Sequence, residues 1–158
     1  MLPETTAVRL RTQLDALPLL VAGTGEAALE WRPAPEKWSP REHLAHVARP
    51  QQVTLERLRR ILAEPEPRFP RYRAEEDPEW PRWAALPLAA VRGELTAGRA
   101  ALVAAVAAIP PADLSRRGIH PELGALSILL WLEFFLLHEA HHLLAVLKLA
   151  RMAPPAAG

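Results

Sequence analysis

Residues 126–149 read LSILLWLEFFLLHEAHHLLAVLKL. At ~1.5 Å per residue, this run is long enough to cross a bilayer. However, it contains Glu133, His138, Glu139, His141 and His142, and several ionisable groups at mid-membrane depth are very costly. The run is therefore read as a buried helix of a soluble, cytoplasmic protein. It is apolar nearly all round from Leu129 to Leu137, so the expectation is full burial, with one side against a partner subunit.

Working outward from this helix, prolines divide the chain into three further helical segments. A short connection, residues 112–124, precedes the last helix, which is expected to reach about Arg151. Before it, Pro110-Pro111 ends an alanine-rich helix that starts near Pro87. Residues 65–86 are proline-rich and too long for a tight turn, so they are read as a crossover along the bundle. The second helix, residues 40–63, has a strong start signal in Ser39-Pro40-Arg41-Glu42: Ser39 as cap, Pro40 in the first turn, Glu42 completing a capping box. Pro50 should kink or loosen it. The first helix should span residues 3–22 and stop near Gly23 and Gly25. β-branched residues never cluster into alternating runs, and no strand is expected. The fold class is all-α: a four-helix bundle with a long crossover between helices two and three, in one domain over residues 1–153, with a frayed tail over 154–158.

The 158 residues are half apolar and include no cysteine. Disulfides and cysteine-based zinc sites are excluded, so a metal must rest on histidine and carboxylates. Nineteen basic residues face eighteen acidic ones. The arginines of residues 57–73 are interleaved with glutamates, which suits a solvated, ion-paired surface and not a nucleic-acid stripe. The N-terminus does not show the pattern of a signal peptide.

His138 and His142 are four residues apart. On a helix they project about 40° apart, separated by ~6 Å along the axis, and can grip one metal ion. They could also be a solvated helix face, or core histidines bonded to backbone groups. His46, among Leu44, Ala45 and Val47, is a candidate third ligand on the second helix. Three neutral imidazoles leave coordination positions open, as a working site requires. His43, about 60° around its helix from His46, could flank the site. So could His141, while sequence does not place His120. Residues 138–142, HEAHH, also match the H-E-x-x-H zinc-protease helix with Glu139 as general base. That reading is disfavoured, because no ligand-bearing residue follows His142, no strand is evident, and Glu139 is turned about 100° from His138.

Trp38-Ser39-Pro40-Arg41-Glu42-His43-Leu44-Ala45-His46 resembles the W-S-x-x-E-x-x-x-H signature of the DinB/YfiT-like superfamily. His120-Pro121-Glu122-Leu123-Gly124, followed by an apolar stretch and His138-Glu139-Ala140-His141-His142, resembles its HP-x-x-G and H-x-x-x-H ending. Arg99 before Leu102 fits its third helix. The resemblance implies an up-down-down-up bundle, often dimeric, and three metal-ligating histidines, here His46, His138 and His142. It implies one divalent cation, zinc or nickel. It also implies low-molecular-weight thiol S-transfer, isomerisation or no assigned reaction.

These readings lead to a metal-dependent enzyme acting on a small molecule, such as a thiol S-transferase using a cellular thiol, or a hydrolase. Glu139 is the weak candidate for a general base, while Glu42 is read as a cap. The alternative is a non-catalytic metal-binding or small-molecule-binding stress module. A homodimer is expected, without nucleic-acid or membrane partners. Trp38 is expected to plug one end of the bundle, and Trp80 and Trp83 to pack on the crossover, where they could wall the metal pocket.

Overall fold

The computed structural model describes residues 1–154; the expected frayed tail falls almost wholly outside them. Four helical segments form the bundle. The second, α4 (Pro40–Ala63), opens with the expected capping box: Ser39 Oγ accepts from the Glu42 amide and the Glu42 carboxylate accepts from the Ser39 amide. Such a cap typically contributes about 1 kcal/mol. The helix runs unbroken through Pro50, which cannot donate to the His46 carbonyl one turn back. The third and last helices are α6 (Leu88–Ala107) and α7 (Ile128–Met152), close to their expected bounds.

The first segment departs from expectation. The helix α1 (Glu4–Thr12) gives way to a 3-10 turn, Gln13–Ala16, and a single turn α2 (Leu17–Leu20). Pro18 has no N–H and its ring opposes the carbonyl of Leu14, which favours a break here, whereas the longer α4 absorbs the same loss at Pro50. Two short helices, α3 (Glu26–Glu30) and α5 (Trp80–Ala84), lie in the connections; α5 sits within the long crossover.

The link before α7 is a second correction. A strand β1 (Arg117–His120) pairs antiparallel with β2 (Gly124–Ser127). Each is too short to show alternation. Gly118 is demanded by crowding: a Cβ there would meet Phe69 Cε2 at 2.6 Å and Ile61 Cγ1 at 2.9 Å. The crossover also pairs with β1, through Phe69 N–H to Ile119 O and Ile119 N–H to Pro67 O.

Helix directions follow from who meets whom. Leu44 shares a core cluster with Val91 and Leu95, and Leu58 shares one with Leu102 and Val106, so α4 and α6 run parallel. His43 meets His142 and His46 meets His138, so α7 runs against α4. Thr6 and Gln13 bond Glu133 and Glu139 in the same order, so α1 runs with α7. The bundle is up-down-down-up.

The core is in two apolar parts. Leu44, Val47, Val91, Leu95, Leu143 and Val146 form one, and Leu58, Ile61, Leu102, Trp131, Leu132 and Leu136 belong to the other. Between them on each helix lie Gln51, Arg99 and Glu139, all buried. The α7 helix is long and apolar enough to cross a membrane by length and composition alone. In the bundle it is not fully buried as expected, because Leu130, Leu137 and Leu144 are 50, 65 and 49 % exposed.

Candidate metal centre

α4 and α7 supply four imidazoles to one end of the bundle interior. The 100° step of a helix places His46 and His43 toward α7, and His138 and His142 toward α4. The His138 Nε2 lies 3.2 Å from the Nε2 atoms of both His46 and His142. All three ligand atoms fall within 4.8 Å of one another, the sole such group of three among the described residues.

The spacing fits a metal. In a tetrahedral site with metal–nitrogen bonds of about 2.0–2.1 Å, neighbouring nitrogens stand about 3.3–3.4 Å apart. A hydrogen-bond account fits less well. It would have to split the one lone pair of His138 Nε2 between His46 and His142, giving two weak bonds.

Burial keeps the rings neutral. Desolvation lowers His46 to about 3, helped by His138 and His43. It lowers His138 to about 4, with His141 contributing, and His142 to about 2, with His46 and His138 contributing. His43 is likewise lowered to about 4 by burial and then by His141. Neutral imidazole is the ligating form.

The rings are held from behind. His43 Nδ1 stands 2.9 Å from His142 Nδ1, so His142 can turn its Nε2 to the cluster while His43 accepts from its Nδ1–H. His46 Nδ1 is buried with no hydrogen-bond partner among the described residues. Aromatic walls orient that ring instead: Trp38 at 4.7 Å, stacked Tyr72 at 5.7 Å and Trp80 edge-on at 5.7 Å. Trp38 thus packs directly on the site, and Trp80 walls it. Trp83 lies in the core.

Glu139 is a correction. Turned about 100° from His138, it points between α1 and α6 and not into the histidine cluster. There it pairs with Arg99 and accepts from Gln13 Nε2 at 2.9 Å. Arg99 also donates to Gln51 Oε1 at 3.0 Å and Leu10 O at 2.8 Å. Burial pushes the Glu139 carboxyl up, against the pull of Arg99 and Gln13. A carboxylate so engaged is not placed as a general base, and the protease-like arrangement is absent. Glu42 is the expected cap and also pairs with Arg32. His141 is exposed, its ring edge-on to His142 at 5.1 Å.

His120 stands outside the cluster but shares a cavity with it. A cavity of about 320 Å³ is lined by His138, His120, Tyr72, Trp131 and Phe134 among others, at the small end of the ~300–1,000 Å³ usual for small-molecule pockets. A shallower groove of about 640 Å³ borders His43 and Trp38, with Lys37 and Lys148. A larger cavity, about 700 Å³, lies between the N-terminal segment and α6 and is lined by no histidine; the chemistry of the donors favours the smaller one. Sequence could not signal this cavity, because its walls come from α4, the crossover, the hairpin and α7.

Comparison with known proteins agrees with this architecture. The model of the DinB superfamily matches residues 9–146. YfiT from Bacillus subtilis, described as a probable metal-dependent hydrolase with an unusual four-helix bundle topology, superposes with a TM-score of 0.77. It is 16% identical, and the match covers 94% of this chain and 86% of that one. TT2238, described as a four-helix bundle protein, superposes with a TM-score of 0.67 at 29% identity, over 92% of this chain and 98% of its own. No curated protein sequence matches the chain.

Proposed function

The chain belongs to the DinB superfamily, and on that premise we propose that it binds one divalent cation, zinc or nickel, through His46, His138 and His142 and acts as a hydrolase on a small molecule. The observation that carries this reading is the convergence of three neutral imidazoles, with His138 Nε2 3.2 Å from the Nε2 atoms of both His46 and His142, beside a partly open cavity. A divalent cation held there supplies Lewis acidity, lowering the pKa of a nucleophile so that it is available at neutral pH. The chain's own residues do the rest. His46, His138 and His142 present lone pairs, His43 orients His142, and the aromatic walls exclude bulk water. The description of YfiT supports hydrolysis. So does the size of the cavity, which suits one small substrate.

One observation favours a second reading, S-transfer from a cellular thiol. The groove beside His43, lined by Lys37 and Lys148 and by Glu36 and Glu75, has room for a second co-substrate that carries both charges. Under either reading we place the protein in the cytoplasm, as a homodimer joined along the exposed Leu130, Leu137 and Leu144 of α7.

The test begins with elemental analysis of protein purified without chelator, followed by zinc and nickel titration. Small esters and amides, and electrophiles offered with several thiols, are then assayed. The expected result is one equivalent of metal and turnover that disappears in the His138→Ala, His142→Ala double variant. Full turnover in that variant sinks the metal mechanism. Tight metal binding with no turnover of any class points to a non-catalytic module instead.

A further inference from the structure

The segment His120-Pro121-Glu122-Leu123-Gly124 joins β1 to β2, and it fixes one imidazole in one tautomer. Pro121 has no N–H, so the first free amides after His120 are those of Glu122 and Leu123. Both turn back and donate to His120 Nδ1, at 3.2 and 3.1 Å. Gly124, at φ +73°, lets the chain reverse into β2. The ring is clamped by Trp131 at 5.6 Å and Phe134 at 5.2 Å, and is 5 % exposed.

A neutral imidazole whose Nδ1 accepts must carry its proton on Nε2. Protonating Nδ1 as well would set it against two amide hydrogens, so this side chain is a fixed donor and not a proton shuttle. Burial and Arg57 also hold it neutral. No acceptor for Nε2–H occurs among the hydrogen bonds of the described residues. Nor is that nitrogen sealed in, since His46 Nδ1 is the one enclosed side-chain atom without a partner among them. The ring lines the 320 Å³ cavity that His138 also lines.

The remaining polar groups on that wall are mostly spent. The Tyr72 hydroxyl donates to Asp77, and Arg71 pairs with Glu122. Thr54 adds a hydroxyl, and Trp131, Phe134 and Phe135 give an apolar, aromatic surface. Arg57 does not line the cavity; it lies 5.0 Å over the Trp131 ring and donates to the Pro70 carbonyl, and its charge, felt at His120, disfavours a cation there.

We infer that His120 is a substrate-binding residue whose Nε2–H donates to a carbonyl oxygen of a small aryl or otherwise apolar carbonyl compound held beside His138. This deepens the hydrolase reading by naming its substrate class as aryl esters or amides, and rests on that reading for the reaction alone.

The test uses the full-length protein, metal-free and zinc-loaded, with two matched probes. Acetophenone carries the acceptor; α-methylstyrene has a methylene in place of its oxygen. Histidine ¹⁵N–¹H correlation spectra of the metal-free protein should show His120 as the Nε2–H tautomer, with Nε2 shifting on addition of acetophenone. Acetophenone should bind about fivefold more tightly than α-methylstyrene, as one neutral hydrogen bond implies. His120→Phe should erase that preference while retaining α-methylstyrene binding and zinc affinity, and His120→Gln, which keeps a donor, should restore part of it. An Nδ1–H tautomer in the wild type, or equal binding of the two probes, overturns the inference without need of any variant. Failure to bind zinc would overturn the metal reading alone, since the probe preference is measured without metal.

Discussion

Residues 138 and 139 are neighbours in sequence, yet they belong to two buried polar clusters on different sides of α7. Around Glu139 each side chain has its partner: Arg99 pairs with it, Gln13 donates to it, and Gln51 and the Leu10 carbonyl each accept one further hydrogen from Arg99. Each of the four helical segments contributes, and the layer divides the apolar core in two. Around His138 the partners are other imidazoles, at 3.2 Å, with a cavity beside them. A buried polar cluster that satisfies itself is complete as structure; one whose nitrogens converge on a common point is complete only with something bound there. The contrast separates register from function on a single helix.

The largest effect expected comes from breaking the satisfied cluster. Arg99→Met leaves Glu139 buried and unpaired, and should cost about 3–5 kcal/mol in urea unfolding. Adding Glu139→Leu should return most of that loss, because a buried pair replaced as a whole is often near neutral. If the single variant unfolds like wild type, the layer does not hold the bundle.

The converse applies to the other cluster. His138→Ala should cut zinc affinity by more than the ~10–100-fold typical of residues behind a ligand, while the metal-free protein keeps its unfolding midpoint. A large loss of metal-free stability would place His138 in the structural class with Glu139. His43→Phe removes the acceptor behind His142 and should weaken zinc by about 10–100-fold, read by competition with a chelating dye; an unchanged affinity would show that His142 needs no support.

The smallest effect expected on zinc affinity is that of pH. The folded imidazoles titrate at about 3, 4 and 2, below the ordinary 6.5, because burial disfavours their charged form. Between pH 7.5 and 5.5 the folded site is therefore already deprotonated, and zinc affinity should change by less than about threefold. A solvated three-histidine site would lose about tenfold per ligand over that range. The sign for stability is opposite to that of a salt-bridged histidine. Below pH 6.5 the unfolded chain takes up protons that the folded metal-free chain does not, so its stability falls as pH drops toward 4.

Much of the architecture was legible from local signals. The capping box at Ser39–Glu42, the Pro110-Pro111 stop and the long apolar run place α4, α6 and α7 to within a few residues, because caps and prolines act on the backbone beside them. A break at Pro18 was legible only as one of two outcomes, since α4 runs unbroken through Pro50. The hairpin was not: two four-residue strands show no period, and what specifies them is the crowding of Gly118 against Phe69 and Ile61, residues far away in sequence.

The site divides in the same way. The i, i+4 spacing of His138 and His142 is a property of the helix itself, so sequence alone determined that the two rings share a face, and the motif around His46 marked it as their companion. Only the tertiary structure decided the 3.2 Å convergence, the partner behind His142 and the allegiance of Glu139. It alone brought His120 to the cavity that His138 lines. Those depend on which helix packs against which face. A helix states where its side chains point, but not what they will meet.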